Sequence, residues 1–273
     1  MEFSRTVKWI PGDYHELDSL KQALHGASVA YLLASSTVPG DLHVNPATEL
    51  NDNVVGALQF IDTCLLLGVK RIVFASSASV YGTQERLPIS ESAPTNPISA
   101  HGIHKLTVEK FLLLARHLHG IEVRILRIGN PFGPEQRLKG RQGFVAIAIG
   151  ELLRHSTLPL RDTGRAIRDF VYIDDVAEAL TMAGLMDGLP SIINVATGKG
   201  HSLSEVLALI ERHTGQAVKT RAVESRIVDI PSSVLDIGLA RKVMNYDPRH
   251  ELSDGIRITL GSHGIPVLGS PKN

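Results

Sequence analysis

Arg71-Ile72-Val73-Phe74-Ala75-Ser76-Ser77-Ala78-Ser79-Val80-Tyr81-Gly82 is the stretch whose reading decides the fold. A short, continuous apolar run that gives way abruptly to hydroxyls and glycine reads as a strand buried on both faces, opening to solvent at its carboxyl end. Working outward, Val29–Leu33 and Val123–Arg127 are runs of the same kind. The intervening segments, Ala47–Leu67 and Ser99–His119, space their apolar residues as helices do. Strand and helix therefore alternate, and the pattern predicts an α/β fold with a doubly wound parallel sheet. From Asn130 onward the rhythm loosens into Pro- and Gly-punctuated segments, which predict shorter elements and a smaller C-terminal lobe.

Bulk composition narrows the classes. Twenty-eight basic and 28 acidic residues give a formal net charge of +0 over 273 residues. A nucleic-acid-binding surface normally leaves a basic excess, so nucleic acid is not an expected partner. Cys64 is the only cysteine and lies in an apolar helical segment, which reads as a buried thiol in a reducing cytoplasm. The first residues have no apolar core typical of a signal peptide. The longest apolar run, Phe144–Ile149, is too short to cross a bilayer, so no membrane is expected.

Several segments carry candidate chemistry. Ser77 stands where a parallel strand ends, in the crevice where open α/β sheets bind ligands, and its hydroxyl can donate to a substrate oxygen. The alternative is a Ser-rich strand-to-loop transition whose hydroxyls cap turns. Pro97-Ile98-Ser99-Ala100-His101-Gly102-Ile103-His104-Lys105 opens a helix with His101 and Lys105 four apart on one face. That is an acid/base group one turn from an ammonium, or simply a solvated helix face. Gly12-Asp13, Leu33-Ala34-Ser35, Asn53 in Asn53-Val54-Val55-Gly56, the loop Leu126–Pro134 with Asn130, the run Arg168–Ala177 and Arg226-Ile227-Val228-Asp229-Ile230-Pro231 complete the set. Asp13 also reads as a turn and helix cap, and Arg168–Asp169 as a structural ion pair. The histidines do not reach metal-ligand spacing, and no metal is assigned.

Taken in order from about Pro11 to Asp254, these motifs resemble the extended short-chain dehydrogenases, within them the NAD-dependent sugar-nucleotide epimerase/dehydratase group. The resemblance implies a Rossmann-like sheet. Residues 1–135 would form a partial dinucleotide-binding domain, and 136–273 mainly a substrate-binding lobe with elements returning to the sheet. Ser77 and Lys105 fall on the family's strand-end serine and on the lysine of Tyr-x-x-x-Lys, while His101 stands where the tyrosine belongs. The implied roles are Ser77 on the C4 oxygen, His101 as proton shuttle and Lys105 on the nicotinamide ribose. A histidine can move protons near neutrality, its unperturbed pKa being about 6.5.

For the cofactor NAD the resemblance implies Asp13 at the adenine, Ala34 and Ser35 at the fourth-strand turn, and Asn53 as a brace for the serine region. For a UDP-linked nucleotide sugar it implies Asn130, Arg168, Arg226 and Asp229, with Arg168 as a diphosphate clamp. Ala78 stands where dehydratases carry an acid, which favours a UDP-hexose 4-epimerase, with reductases and decarboxylases still open. No Gly-rich phosphate loop stands near the start. The resemblance therefore implies a missing first βαβ unit, expected to leave a gap in the sheet with exposed strand edges. A sugar-nucleotide-binding homologue without turnover is the alternative to the enzyme. Ala47–Leu67 and Ser99–His119 are the implied homodimer helices.

Overall fold

The structure, a computed structural model, describes residues 7–35, 45–140, 142–224 and 230–268. It begins with α1 (Leu17–Leu24), β1 (Val29–Leu32), and a long helix composed of α2 (Pro46–Leu50), a π-helical turn (Asn51–Val55) and α3 (Gly56–Leu66). Then follow β2 (Arg71–Ser77), a 3₁₀ turn (Ala78–Tyr81), α4 (Ala100–His119) and β3 (Glu122–Ile128). Ser99 caps α4 by accepting from the Gly102 N–H, and Gly120 ends the helix in the left-handed region.

The next elements are β4 (Asn130–Phe132), α5 (Phe144–Leu153), β5 (Leu158–Arg161), β6 (Ile167–Arg168), β7 (Phe170–Tyr172), α6 (Ile173–Leu185) and β8 (Ile192–Val195). The chain continues through β9 (His201–Ser202), α7 (Leu203–Thr214), β10 (Thr220–Val223), β11 (Ser232–Ser233), α8 (Gly238–Met244) and α9 (Leu252–Ser262).

The main sheet has the order β1-β2-β3-β8, every pair parallel. Its strands alternate between two cores, which is why their sequences read as unbroken apolar runs. Ile72 and Phe74 face Leu20 of α1, Phe60 of α3 and Leu112 of α4. Val73 faces Val176 and Ala179 of α6 and Met244 of α8. Helices thus cover both faces, and the doubly wound reading holds. The expected gap does not: β1 to β8 form one contiguous sheet, with β1 as its edge among the described residues.

Beyond the sheet, α5, α7 and α9 close a separate core around Ile149, Ile210 and Ile256. Three small sheets accompany it, β10-β5, β11-β6-β9 and β4-β7. Arg226 and Asp229 lie outside the described residues.

The expected helix Ala47–Leu67 holds but contains a π turn at Asn51–Val55. A π turn widens the backbone by one residue, and such turns are frequent at functional sites. The fold explains one absent Cβ as well. On Gly102, a Cβ would lie 2.6 Å from the Ser79 carbonyl oxygen, so only glycine lets the first turn of α4 press against the 3₁₀ turn that follows β2.

Candidate functional site

The carboxyl ends of β1 and β2, the π turn and the first two turns of α4 surround one pocket. Its lining includes Ala34 and Ser35 after β1, Asn53 on the π turn, and His101, His104 and Lys105 on α4. Leu32, Ala57, Phe74 and Val108 form the apolar wall. Five of the residues selected from sequence therefore meet: Ala34, Ser35, Asn53, His101 and Lys105.

Lys105 is 8% exposed. Its Nζ donates to the Ala75 carbonyl at 2.8 Å and lies 4.8 Å from the centre of the Phe74 ring. Burial pushes its pKa down to about 8, against the opposing pull of Glu109. His101 and His104 are buried beside it. Burial also lowers the His104 pKa, with Glu49 acting in the opposite direction.

Ser77, two residues beyond the Lys105 anchor, ends β2. Its Oγ accepts from the Ser79 N–H at 3.2 Å and from the Ser79 hydroxyl at 3.0 Å. With both donors directed at its oxygen, the Ser77 proton is left to donate outward. Tyr81, the nearest tyrosine in sequence, cannot take the place of the tyrosine that His101 displaces. It is fully buried, its hydroxyl donates to Asn194 Oδ1 at 2.7 Å, and burial raises its pKa.

Asn53 stands on the π turn and lines the pocket. Its Oδ1 accepts from the Ser35 hydroxyl at 3.1 Å and its Nδ2 donates to the Glu49 carbonyl at 2.9 Å. Through Ser35 it is tied to the segment that follows β1. Asp13 lies on the exposed approach to α1, where its carboxylate accepts from the His15 N–H at 2.9 Å and pairs with His15 Nδ1 at 2.7 Å. It forms a local turn but does not cap α1, whose N-cap is Glu16.

On the far side of the crevice, the Asn130 N–H donates to the Asp169 carbonyl at 2.7 Å. Arg168 sits half-buried on β6, donating to the Ile167 carbonyl at 2.8 Å. The alternative of an Arg168–Asp169 ion pair gives way to a different arrangement. Asp169 turns inward and accepts from Thr197 N and Oγ1, Gly198 N and Leu235 N. Those four donors satisfy a carboxylate that would be costly to bury otherwise.

Two residues that the sequence did not single out matter here. Glu109 on α4 is 1% exposed and binds both Ser76 and Arg127. The signal for it was present, since it lies one turn beyond Lys105 on the same helix face. His104 enters the sequence reading only among the histidines that form no metal site, yet it lines the pocket.

A parallel doubly wound sheet with a serine, a buried lysine and an asparagine gathered at its strand ends is the framework of a dinucleotide-binding α/β protein. The chain belongs to the NAD dependent epimerase/dehydratase family, whose pattern it matches over residues 2–196. It is 30% identical over 270 residues to a UDP-glucose 4-epimerase of Azospirillum brasilense, covering 92% of this chain and 77% of that protein. It is 33% identical over 217 residues to a UDP-glucose 4-epimerase of Mycolicibacterium smegmatis, covering 79% and 69% respectively. The structure superimposes on the UDP-glucose 4-epimerase of Thermus thermophilus in complex with NAD with a TM-score of 0.88 at 28% identity, covering 95% of this chain and 86% of that one.

Proposed function

We propose that the protein is an NAD-dependent UDP-hexose 4-epimerase. The observation that carries the reading is the seating of Lys105 on the Ala75 carbonyl, two residues before Ser77, in a pocket shared with Ala34, Ser35, Asn53 and His101. The pocket suits the nicotinamide-ribose half of NAD: Ser35, Asn53 and Lys105 offer polar groups, and Leu32, Phe74 and Val108 offer an apolar wall. The likeness to the NAD complex from Thermus thermophilus supports the same cofactor.

In this reading Lys105 holds the ribose hydroxyls and Ser77 donates to the C4 oxygen of the sugar. His101 takes the C4 hydroxyl proton and later returns it. NAD held there would supply the hydride chemistry at C4. Asp13 approaches the adenine, Asn130, Arg168 and Arg226 hold the nucleotide diphosphate, and Asp229 takes the ribose or base edge. Residues 1–135 form the cofactor side and 136–273 the substrate side.

A homodimer in the cytoplasm fits the same reading. Ile103, Phe111, Leu114 and Leu118 leave an exposed apolar stripe along α4 at helical spacing, and Leu66 of α3 is exposed too. Among the described residues no helix is long and apolar enough to cross a membrane.

A second reading, a sugar-nucleotide-binding protein without turnover, is favoured by His101 at the proton-transfer position. Proton NMR of UDP-glucose incubated with the protein and NAD separates the two. The epimerase reading expects the C4-inverted product to accumulate, with His101→Phe abolishing it. Binding of UDP-glucose without any inversion by the wild type would establish the second reading.

A further inference from the structure

The buried polar group behind the pocket is not used by the chemistry above, yet it joins three elements. One oxygen of the Glu109 carboxylate accepts from the Ser76 hydroxyl at 2.5 Å and from Arg127 Nε at 3.1 Å, and the other accepts from Arg127 Nη2 at 2.7 Å. Lys105, one turn earlier on α4, donates to Ala75, the residue before Ser76. Two consecutive residues at the end of β2 are therefore gripped by two residues four apart on α4, and Arg127 ties the same carboxylate to β3. Arg127 in turn lies over the Tyr81 ring at 4.7 Å, and the Tyr81 hydroxyl reaches Asn194 on β8.

We propose that Glu109 is a positioning residue, the carboxylate that locks α4 against the ends of β2 and β3 at the height where Lys105 reaches the Ala75 carbonyl. Its action passes through Lys105: it fixes where the ammonium sits and supplies a nearby negative charge. His101 and His104 line the pocket beside Lys105 on the same helix, Glu109 lies one turn further along it, Glu49 of α2 acts on His104, and Arg127 of β3 pairs with Glu109. Of these, Glu109 supports the lysine's charge, whereas desolvation opposes it. A lysine that lost this support would lose its proton at lower pH and with it the cationic grip on the strand end.

The proposal rests on the reading of Lys105 as a cofactor contact, but its test requires neither NAD nor a nucleotide sugar. The full chain is labelled with ¹³C-lysine, and the Lys105 ¹³Cε resonance, assigned with Lys105→Arg, is followed from pH 6 to 11. The wild type should titrate near pH 8. Glu109→Gln should bind the Lys105 proton about tenfold or more weakly, and Glu109→Asp should restore much of the wild-type midpoint. Glu109→Gln leaves the Arg127 charge uncompensated and can fail to fold. Arg127→Met and the double variant Glu109→Gln/Arg127→Met both lack the guanidinium, so comparing them isolates the carboxylate, and the double variant should titrate below Arg127→Met. A folded Glu109→Gln whose Lys105 titrates at the wild-type pH, or a double variant that titrates where Arg127→Met does, would overturn the proposal and leave Glu109 as packing. Neither outcome depends on ligand binding, so a failure here is distinguishable from a failure of the epimerase reading.

Discussion

β2 and β3 carry a buried arginine at each end, and the two ends solve the problem differently. At the carboxyl end Arg127 and Glu109 are 3% and 1% exposed, a pair withdrawn from water. At the amino end the Arg71 side chain is 9% exposed, but its partners Glu122 and Asp187 are 45% and 90% exposed. There the guanidinium also donates to the Gly184 carbonyl at 2.6 Å, and Arg124 shares Glu122 at 3.1 Å. One end is a surface stitch in contact with solvent. The other holds charge in a dry environment directly behind the pocket, where geometry is rigid and electrostatics are strong. The chemistry-bearing end of the sheet is the one that spends charge on rigidity.

That contrast predicts graded losses. Glu109→Ala leaves Arg127 buried and unpaired, and urea denaturation should show a loss of about 3–5 kcal/mol. A loss below about 1 kcal/mol would make the two ends equivalent.

Lys105 gives the site end a pH signature. Its folded pKa of about 8 lies below the unfolded value near 10.5. Between those values the unfolded chain holds more protons, so stability should rise with pH across that window, by an amount on the order of 2–3 kcal/mol. Lys105→Met should lack this rise when the two proteins are compared by denaturation from pH 7 to 11.

The amino end should respond weakly. Glu122→Gln keeps Asp187 and the Gly184 carbonyl on Arg71 and should cost no more than about 1 kcal/mol, diminishing in high salt. Asp187→Asn, at a nearly fully exposed carboxylate, should change the midpoint by less than about 0.5 kcal/mol.

Much of this was legible in the chain. The strand from Arg71, the helix from Ser99 and the alternation between them follow from apolar runs and helical spacing; the apolar run ends at Ala75, and the structure carries β2 on to Ser77. Ser77, His101 and Lys105 stood out because strand ends and i,i+4 pairs are local features. The π turn at Asn51–Val55 was not legible, because an apolar pattern cannot distinguish a π turn from an ordinary helical one.

Glu109 was legible in its place, one turn beyond Lys105, but not in its burial. A glutamate on a helix ordinarily faces water, and only the tertiary approach of Ser76 and Arg127 makes it a buried clamp. Gly102 likewise reads as a weak helix residue until the Ser79 carbonyl is brought up against it. Sheet order is also a long-range property. Apolar runs locate the strands, but that they close up without a gap is decided by pairing.

Calorimetry decides whether the pocket beside Lys105 receives NAD while the second lobe receives a nucleotide sugar. NAD and UDP-glucose are titrated separately into the wild type and into Lys105→Met. Both ligands should bind the wild type, and Lys105→Met should weaken NAD about tenfold or more while leaving UDP-glucose nearly unchanged. Binding of UDP-glucose without NAD, or NAD binding indifferent to Lys105, would contradict this assignment of the two sites.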